Sequence, residues 1–280
     1  MKKLLIVDGH NLLFQMFYGM PSKIINKDGK AIQGTLGFIG AFIKIIKMTK
    51  PTHVIVLFDG EHENDRAELN AEYKANRIDY STVADEDSPF SQIDDVYKAL
   101  DYMNICHFEE NEYETDDVIA SYAIKYAENT KIIISSFDSD FFQLINDNVA
   151  VLRYRGKNTL ICDDRYVQDK YGITASQYAY FKSLTGDSAD NIKGVDKVGV
   201  KTAAELINEF GNLENIISNS ENIKKPSIRE NVIKSTERIR TNYKLIKLTS
   251  RARLPFEIDE LIYNYDGITT TEVLRGIGIK

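Results

Sequence analysis

The sequence is poor in residues that would build a disulfide framework or a zinc site. Its two cysteines, Cys106 and Cys162, lie far apart and in no metal-binding spacing, which predicts reduced thiols in a cytosolic compartment. No apolar run approaches the length of a membrane span, and only four apolar residues separate Lys3 from Asp8, which is too few for a signal peptide. We therefore expect a cytoplasmic protein that has no membrane partner.

Basic residues are fewer than acidic ones, so the chain carries a net charge of −7. Proteins that bind nucleic acids are usually basic, and the charge balance is therefore weak evidence against such a substrate. Net charge governs solubility and steering rather than fold, and a cluster of metal-holding carboxylates would account for much of the excess. The 280 residues, 43% of them hydrophobic, can hold one large domain, or one domain with a smaller appendage.

The first half of the chain alternates buried strands with amphipathic helices. Apolar residues recur at helical spacing from Gly34 to Met48, which predicts a helix. Short buried runs predict strands on both sides of it and further along the chain, at residues 3–7, 53–58, 105–108, 131–135, 149–154 and 158–161. This order predicts an α/β fold with a mainly parallel sheet and helices on both faces.

Two parts of the chain depart from this alternation. Residues 61–89 form a strongly polar insertion, and its length favours a functional or mobile segment over scaffold. After residue 162 the pattern becomes helical, and a continuous helix is expected over residues 227–248, opening with a capping box at Ser227. We therefore predict a first domain at residues 1–162 and a helical region at residues 163–280.

Nine acidic side chains follow predicted strands or open predicted helices. A carboxylate at a helix start often only caps free N–H groups, and this explanation stays open for any single one of them. Ordinary capping places one acid at each helix start, however, and does not explain Glu114, Asp116 and Asp117 together. Because ligands bind outside the carboxyl ends of parallel strands, we expect all nine to converge there: Asp8, Asp59, Glu114, Asp116, Asp117, Asp138, Asp140, Asp187 and Asp190.

Crowded carboxylates repel one another, and a bound divalent cation is the usual reason for such crowding. All-oxygen ligands select hard ions such as Mg²⁺ or Mn²⁺, and none of the nine side chains is a histidine or cysteine that would favour zinc. Nine acids exceed the needs of one ion. Two ions about 4 Å apart can clamp a phosphodiester and activate a water, so the sequence predicts a two-metal phosphoryl-transfer site.

Two stretches could contact a nucleic acid. Residues 194–203 form a glycine-bounded turn before a helix, which can present backbone N–H groups to a DNA phosphate; a plain inter-helix turn with exposed lysines is the alternative. Lys74 and Arg77 could hold the scissile phosphate while Tyr73 stacks on a base, or they belong to a solvated charged loop. The candidate DNA contacts at the turn are Lys193, Gly194, Lys197, Gly199, Lys201 and Thr202.

These residues give the sequence a resemblance to the 5′ nuclease (flap endonuclease) family, above all to the 5′–3′ exonuclease domain of bacterial DNA polymerase I. The likeness covers nearly the whole chain, and no polymerase domain follows, which favours a free-standing member. It implies a PIN-like core, a helical arch at about 61–89 and a helix–three-turn–helix at about 183–210. Its motifs are Val7-Asp8-Gly9, Phe58-Asp59, Tyr73-Lys74 with Arg77, Glu114-Thr115-Asp116-Asp117, Asp138-Ser139-Asp140, Gly186-Asp187-Ser188-Ala189-Asp190-Asn191 and the 194–203 turn.

The resemblance also implies a role for each site residue. The residues that match the ligands of a first divalent ion are Asp8, Asp59, Glu114 and Asp116. Those that match the ligands of a second ion are Asp138, Asp140, Asp187 and Asp190. The remaining catalytic side chains would be Lys74, Arg77 and Asp117, the last of them close to the second ion. A potassium ion would bind at the helix–three-turn–helix, mostly through backbone carbonyls around Val195 and Val198.

The function that follows is a Mg²⁺-dependent, structure-specific 5′ nuclease in DNA replication and repair, with Mn²⁺ able to substitute. We expect a monomer that acts on DNA with 5′ flaps, 5′ overhangs or branched junctions, and that leaves 5′-phosphate and 3′-hydroxyl ends. A replicative or repair DNA polymerase is an expected partner. The alternatives are a non-catalytic DNA-junction-binding protein of the same fold and a small-molecule metallophosphatase.

Overall fold

The structure is a computed structural model that describes residues 2–60, 66, 69–70, 72–76 and 78–279. Its strands are β1 (Lys2–Asp8), β2 (His53–Asp59), β3 (Cys106–Glu110), β4 (Thr130–Ser135), β5 (Val149–Arg153) and β6 (Leu160–Cys162). They form one sheet in the order β3-β2-β1-β4-β5-β6. All neighbours are parallel except β5 and β6. The predicted α/β class with a mainly parallel sheet is therefore confirmed.

The two faces of the sheet carry separate apolar layers, because successive side chains of a strand point to opposite sides. In β1, Leu4 and Ile6 pack into one core while Leu5 and Val7 pack into the other, and all four are buried. One face is covered by α1 (Gly9–Gly19), α2 (Gln33–Thr49) and α3 (Ile93–Tyr102), and the opposite face by α4 (Thr115–Tyr126).

Helix α1 is not predicted by the sequence pattern, because it begins without a break at the end of β1. Asp8 caps it, since its Oδ1 accepts the N–H of Asn11 at 3.0 Å. Gly9 fits at the joint because a Cβ there would lie 2.4 Å from the ring of Phe58. This tight joint keeps Asp8 at the carboxyl edge of the sheet.

The second half of the chain is helical and packs against the sheet. Its helices are α5 (Asp164–Tyr171), α6 (Tyr178–Thr185), α7 (Val200–Phe210), α8 (Leu213–Ser218), α9 (Pro226–Lys234), α10 (Thr236–Ile246) and α11 (Thr270–Gly276). A two-stranded ribbon joins β7 (Gly186–Asp187) to β8 (Ile192–Lys193). Apolar residues of α5 to α10 share one core with the α4 face of the sheet, whereas α11 packs on the opposite face.

The continuous helix expected over residues 227–248 is wrong. The chain leaves helical geometry at Ser235, whose φ of −100° and ψ of 8° end α9 before α10 begins. The expected capping box at Ser227 is also wrong, because α9 starts one residue earlier with Pro226 in its first turn and Lys225 at the N-cap. No proline or glycine marks the break at Ser235, so apolar spacing alone does not reveal it.

The polar insertion is described only in part. Most of residues 61–71 and Arg77 lie outside the described residues, so the predicted helical arch is not visible as a whole. Its last portion consists of short 3₁₀ turns at Tyr80–Thr82, Asp85–Asp87 and Pro89–Gln92. Within the described part of the chain, no helix has both the length and the apolar character needed to cross a membrane.

The glycine-bounded turn lies between β8 and α7, and its two glycines have different reasons to be glycine. A Cβ on Gly194 would lie 2.3 Å from the carbonyl carbon and oxygen of Thr185, which is backbone and cannot move aside. Gly199 is the N-cap of α7, and a Cβ there would meet nothing within 4 Å. The first glycine therefore holds the turn against α6, whereas the second leaves the start of α7 open to solvent.

The two glycines give a matched pair of variants. Gly194→Ala should lower the free energy of unfolding by about 2–3 kcal/mol, because the new Cβ forces backbone apart. Gly199→Ala should cost less than about 1 kcal/mol, the difference between glycine and alanine at an N-cap. Urea unfolding of both variants beside the parent measures the two values. Equal losses would show that close packing on Thr185 is not the constraint at Gly194.

Candidate active site

The predicted acids meet at the point where the strand order reverses. The chain runs outward through β1, β2 and β3 and then returns to place β4 on the other side of β1, and such reversals open a crevice at the carboxyl edge of a sheet. A cavity of about 590 Å³ lies there, within the usual range of ligand sites of about 300–1,000 Å³. The carboxylates that line it are Asp8, Asp59, Glu114, Asp116 and Asp138.

Hydrogen bonds from neighbouring segments fix the carboxylates at the strand ends. The second oxygen of Asp8 accepts the hydroxyl of Ser136 at 2.8 Å, which ties the end of β1 to the segment after β4. Asp59 accepts both the hydroxyl and the N–H of Thr115, at 3.1 and 3.3 Å, which ties the end of β2 to the start of α4. The acids are therefore held in place before any ligand binds.

The crowding of these acids raises the pKa values of two of them, Asp8 and Asp116. Burial, reinforced by Asp138 and Asp59, raises the pKa of Asp8 to about 7 although two hydrogen bonds lower it. Asp116 is half-buried, and its pKa is raised well above the usual value by burial and by the charges of Asp138, Asp8 and Glu114. These side chains disfavour being charged together, and a divalent cation would remove that conflict.

Glu114 behaves differently because two cations face it. It occupies the N-cap position of α4 but makes no capping hydrogen bond. Lys74 Nζ lies 3.1 Å from Glu114 Oε2, and the guanidinium of Arg66 contacts the same oxygen. Burial alone would raise the pKa of Glu114, but Lys74 and Arg66 outweigh it and lower that pKa. The other oxygen, Oε1, is buried and has no hydrogen-bond partner among the described residues. An all-oxygen set with an orphaned carboxylate oxygen fits a divalent cation.

A second acidic group adjoins the cavity. One oxygen from each of Asp140, Asp187 and Asp190 lies within 4.8 Å of the others. Lys182 is buried between them, with Nζ 2.6 Å from Asp140 and in contact with Asp187. Burial raises the pKa of Asp140 to about 7 even though Lys182 opposes the shift. This donor set is also all oxygen, and Lys182 supplies the positive charge in the structure as it stands.

Not every predicted acid faces the cavity. Asp117 pairs with Arg66 Nη2 at 3.0 Å and accepts the N–H of Thr249 at 2.8 Å, so it joins the insertion to the segment after α10. Asp138 and Asp187 also form local turns, because they accept the N–H groups of Asp140 at 2.8 Å and of Ala189 at 2.9 Å. These two side chains therefore both stabilise a local turn and belong to the acidic groups.

The three residues predicted in the insertion, Tyr73, Lys74 and Arg77, have different outcomes. Lys74 lines the cavity with φ of 56°, and its N–H donates to the carbonyl of Asp190 at 3.0 Å. Tyr73 is buried in an apolar cluster with Ile192 and Leu245, so its ring offers no free face to a base in this structure. Arg77 lies outside the described residues.

The residues of the predicted DNA-contacting turn are mostly exposed. Lys193, Lys197 and Lys201 are exposed and Thr202 is half-buried. Val195 and Val198, named for the potassium site, are buried side chains, and the carbonyl of Val195 accepts the N–H of Val198 at 3.0 Å.

The sequence reasoning missed an aromatic wall of the cavity. It consists of Phe14 on α1 with Tyr80 and Phe90, whose ring centroids lie 5.3 Å apart in all three pairs and meet edge to face. His10 lies beside them, 5.1 Å from Phe90. His10 and Phe14 are one helical turn apart and therefore share a face of α1. Their spacing predicts this shared face only if residues 9–19 are first recognised as a helix. Arg66 and Lys182, the buried counter-ions of the acids, were also missed.

The fold and the site define a class of protein. Its members are α/β proteins with a mainly parallel sheet and, where the strand order reverses, a cleft whose carboxylates fit divalent metal ions. Two family models extend the assignment. One, described as 5′-3′ exonuclease, N-terminal resolvase-like domain, matches residues 3–172. The other, described as 5′-3′ exonuclease, C-terminal SAM fold, matches residues 173–267. The chain belongs to the 5′–3′ exonuclease family.

Individual relatives agree with the family models. The 5′-3′ exonuclease of Buchnera aphidicola subsp. Acyrthosiphon pisum is 32% identical over 97% of this chain and 95% of its own length. The thermostable DNA polymerase I of Thermus thermophilus is 32% identical over 92% of this chain, which spans only 30% of that polymerase. Among solved structures, the bacteriophage T5 flap endonuclease in a complex with DNA and metal ions is similar with a TM-score of 0.71 at 25% identity, covering 88% of this chain and 89% of that one.

Proposed function

We propose that this chain is a Mg²⁺-dependent 5′ nuclease that cleaves DNA at 5′ flaps, 5′ overhangs and branched junctions. The observation that carries the proposal is the cleft itself. Five carboxylates and three aromatic rings line the same cavity, so a phosphodiester and its base find complementary groups there. The T5 flap endonuclease, whose structure contains DNA and metal ions, supports the choice of DNA as substrate and of a catalytic role over mere junction binding.

The metal-holding residues are proposed as two sets. The first comprises Asp8, Asp59, Glu114 and Asp116, and the second comprises Asp138, Asp140, Asp187 and Asp190. When bound, two divalent ions would supply stabilisation of the charged phosphate and a water of lowered pKa. Mg²⁺ is the proposed ion because the donors are hard oxygens, and Mn²⁺ prefers similar ligands.

The remaining side chains are proposed to position the phosphate. Lys74 Nζ lies in the cavity beside Glu114, where it can hold a non-bridging oxygen of the scissile phosphate. Arg77 is proposed to assist it from the insertion. Asp117 acts indirectly, because it holds Arg66 at 3.0 Å and Arg66 in turn contacts Glu114. The hydrolysed bond is the one that leaves a 5′-phosphate and a 3′-hydroxyl.

The turn between β8 and α7 is proposed as the duplex contact, with Lys193, Gly194, Gly199 and Thr202 around the start of α7. Backbone N–H groups at a helix start bind phosphates well. A potassium ion held by backbone carbonyls near Val195 and Val198 is part of the same proposal. We also propose a monomer of the cytoplasm that works with a DNA polymerase, with residues 1–162 as the nuclease unit and 163–280 as the DNA-binding unit.

The lysines of this turn give a binding prediction. Lys197→Ala combined with Lys201→Ala should weaken flap-DNA binding and lower the slope of log affinity against log salt by about 2, one unit for each lost phosphate contact. The matched control replaces Lys3 and Lys131 by alanine; these two exposed lysines are neighbours near the amino ends of β1 and β4. Fluorescence anisotropy at several salt concentrations measures both slopes. An equal slope in the two double variants would remove the turn from the DNA interface.

A panel of substrates tests the proposed function as a whole. It contains a 5′-flap duplex with a free or blocked 5′ end, a blunt duplex, a single strand and a phosphate monoester. We expect cleavage near the flap junction, with 5′-phosphate and 3′-hydroxyl products. Hydrolysis of the monoester alone would favour a metallophosphatase, and flap binding without cleavage in Mg²⁺ would favour a junction-binding protein.

A further inference from the structure

One polar atom beside the aromatic wall has no role in the chemistry described so far. His10 lies on α1, and its Nδ1 accepts the backbone N–H of Asp59 at 3.2 Å. An imidazole nitrogen that accepts a hydrogen bond carries no proton, so the ring proton is on Nε2. The bond to Asp59 therefore fixes both the tautomer and the direction of the ring.

The Nε2 atom is buried and has no hydrogen-bond partner within the described part of the chain. Leaving a donor in this condition costs about 1–3 kcal/mol. The ring is packed edge to face among Phe14, Phe58 and Phe90, at centroid distances of 6.2, 5.6 and 5.1 Å, and none of these rings has a polar acceptor. His10 also lines the 590 Å³ cavity, so its ring borders the space that a ligand in the cleft would occupy.

We propose that His10 Nε2–H donates a hydrogen bond to a nucleobase of the DNA strand in the cleft, which makes His10 a substrate-contacting residue. The inference rests on the proposed function. The acceptor is assigned to the base because His10 lies with the rings of Phe14 and Phe90, which suit a base face. The phosphate is drawn instead to the metal-fitting carboxylate oxygens and to Lys74 in the same cavity. Every nucleobase carries acceptors on its edge, so the contact tolerates any sequence.

Two substitutions separate the two ring nitrogens. In His10→Asn the side-chain oxygen can replace Nδ1 as acceptor for Asp59 N–H, but nothing replaces the Nε2 donor. In His10→Gln the longer side chain places an N–H₂ group near the Nε2 position and gives up the Nδ1 acceptor. We expect His10→Asn to raise KM for a 5′-flap substrate about tenfold with kcat little changed, the effect of losing about 1.4 kcal/mol of binding. His10→Gln should recover most of the affinity.

A modified substrate identifies the acceptor. An abasic residue is placed on either side of the scissile phosphate, and the parent and His10→Asn are compared on each substrate. The ratio of their KM values should fall towards one at the position where the base is missing. A ratio that persists at both positions would place the contact on the sugar or phosphate and overturn the assignment to a base.

Other results overturn the inference altogether. If His10→Asn behaves like the parent and His10→Gln is impaired, the ring acts only by holding Asp59. If both variants lose melting temperature and activity equally, the ring is a packing residue, and if neither changes KM there is no contact. In each of these cases the parent still cleaves the flap, so the proposed function survives. A parent that cleaves no flap would overturn both.

Discussion

Asp116→Asn should reduce single-turnover flap cleavage by on the order of 10³-fold, the scale of losing one group that stabilises transition-state charge. The same variant should be more stable than the parent in EDTA. Asp116 is half-buried and lines the cavity together with Asp138, Asp8 and Glu114. Its pKa is raised well above the usual value by burial first and by these charges next. An asparagine has nearly the same shape but no charge, so the repulsion disappears together with the metal ligand.

The two halves of this prediction are measured separately. Cleavage is followed on a gel with enzyme in excess over DNA, and stability is followed by thermal unfolding in EDTA. Asp169→Asn is the matched control, because Asp169 lies on the surface of α5 with its side chain 75% exposed. Parent-like cleavage by Asp116→Asn would show that Asp116 is not needed for metal-dependent cleavage. A lower melting temperature in EDTA would show that the charge of Asp116 is not repelled by the neighbouring acids.

The stabilisation that Mg²⁺ gives to the protein should grow as the pH rises from 5.5 to 8. The pKa values of Asp8 and Asp140 are raised from about 3.8 to about 7 in the folded chain, in both cases by burial first. Acids with raised pKa values bind protons more tightly when folded, so their contribution is fully present below about 3.8 and is lost as the pH rises through about 7. Mg²⁺ needs both carboxylates charged, and it therefore restores most stability at pH 8.

Thermal unfolding with Mg²⁺ and with EDTA across this pH range measures the gain directly. His10 and His53 have lowered pKa values because of burial, and their contribution to stability is instead lost as the pH falls below about 6.5. The contribution of His53 is common to both conditions and cancels in the difference. Mg²⁺ at Asp59 would remove the charge that raises the pKa of His10, which makes the gain grow with pH in the same direction. Ca²⁺ in place of Mg²⁺ is the control for chemistry, since it also binds oxygen ligands. A gain that shrinks between pH 5.5 and 8 would contradict the raised pKa values.

The sheet and the positions of its acids follow from the sequence because both depend on local pattern. Asp8 and Asp59 come directly after short, continuously buried apolar runs. The carboxyl ends of parallel strands lie at one edge of the sheet, so these two acids must lie there too. Glu114 and Asp116 follow the same logic at a helix start. Even their chemistry is readable, because oxygen-only ligands in excess favour hard divalent ions.

What the sequence hides is the pairing of distant side chains. Lys182 and Arg66 neutralise acids that are 42 and 48 residues away, and no local pattern reports such a meeting. The burial of Tyr73 depends on Ile192 and Leu245, which come close only after the helical half has packed. The aromatic wall depends on α1, whose abrupt start after β1 leaves no conventional signal.

The counter-ions also suggest how the acidic centre folds without metal. Lys182 stands between Asp140 and Asp187, and Arg66 with Lys74 stands at Glu114. A buried charge is stable only when it is paired, and these three cations provide the pairs. Metal ions would then replace these cations as the positive partners of the carboxylates.

The central claim is that the acidic cleft cleaves 5′-flap DNA with a divalent ion. Its most direct test is single-turnover cleavage of one flap substrate by the parent protein in EDTA, and then after excess Mg²⁺ is added to the same sample. We predict background cleavage in EDTA and cleavage near the flap junction once Mg²⁺ is present. Cleavage at the same rate in EDTA, or none in Mg²⁺ while the DNA is bound, would contradict it.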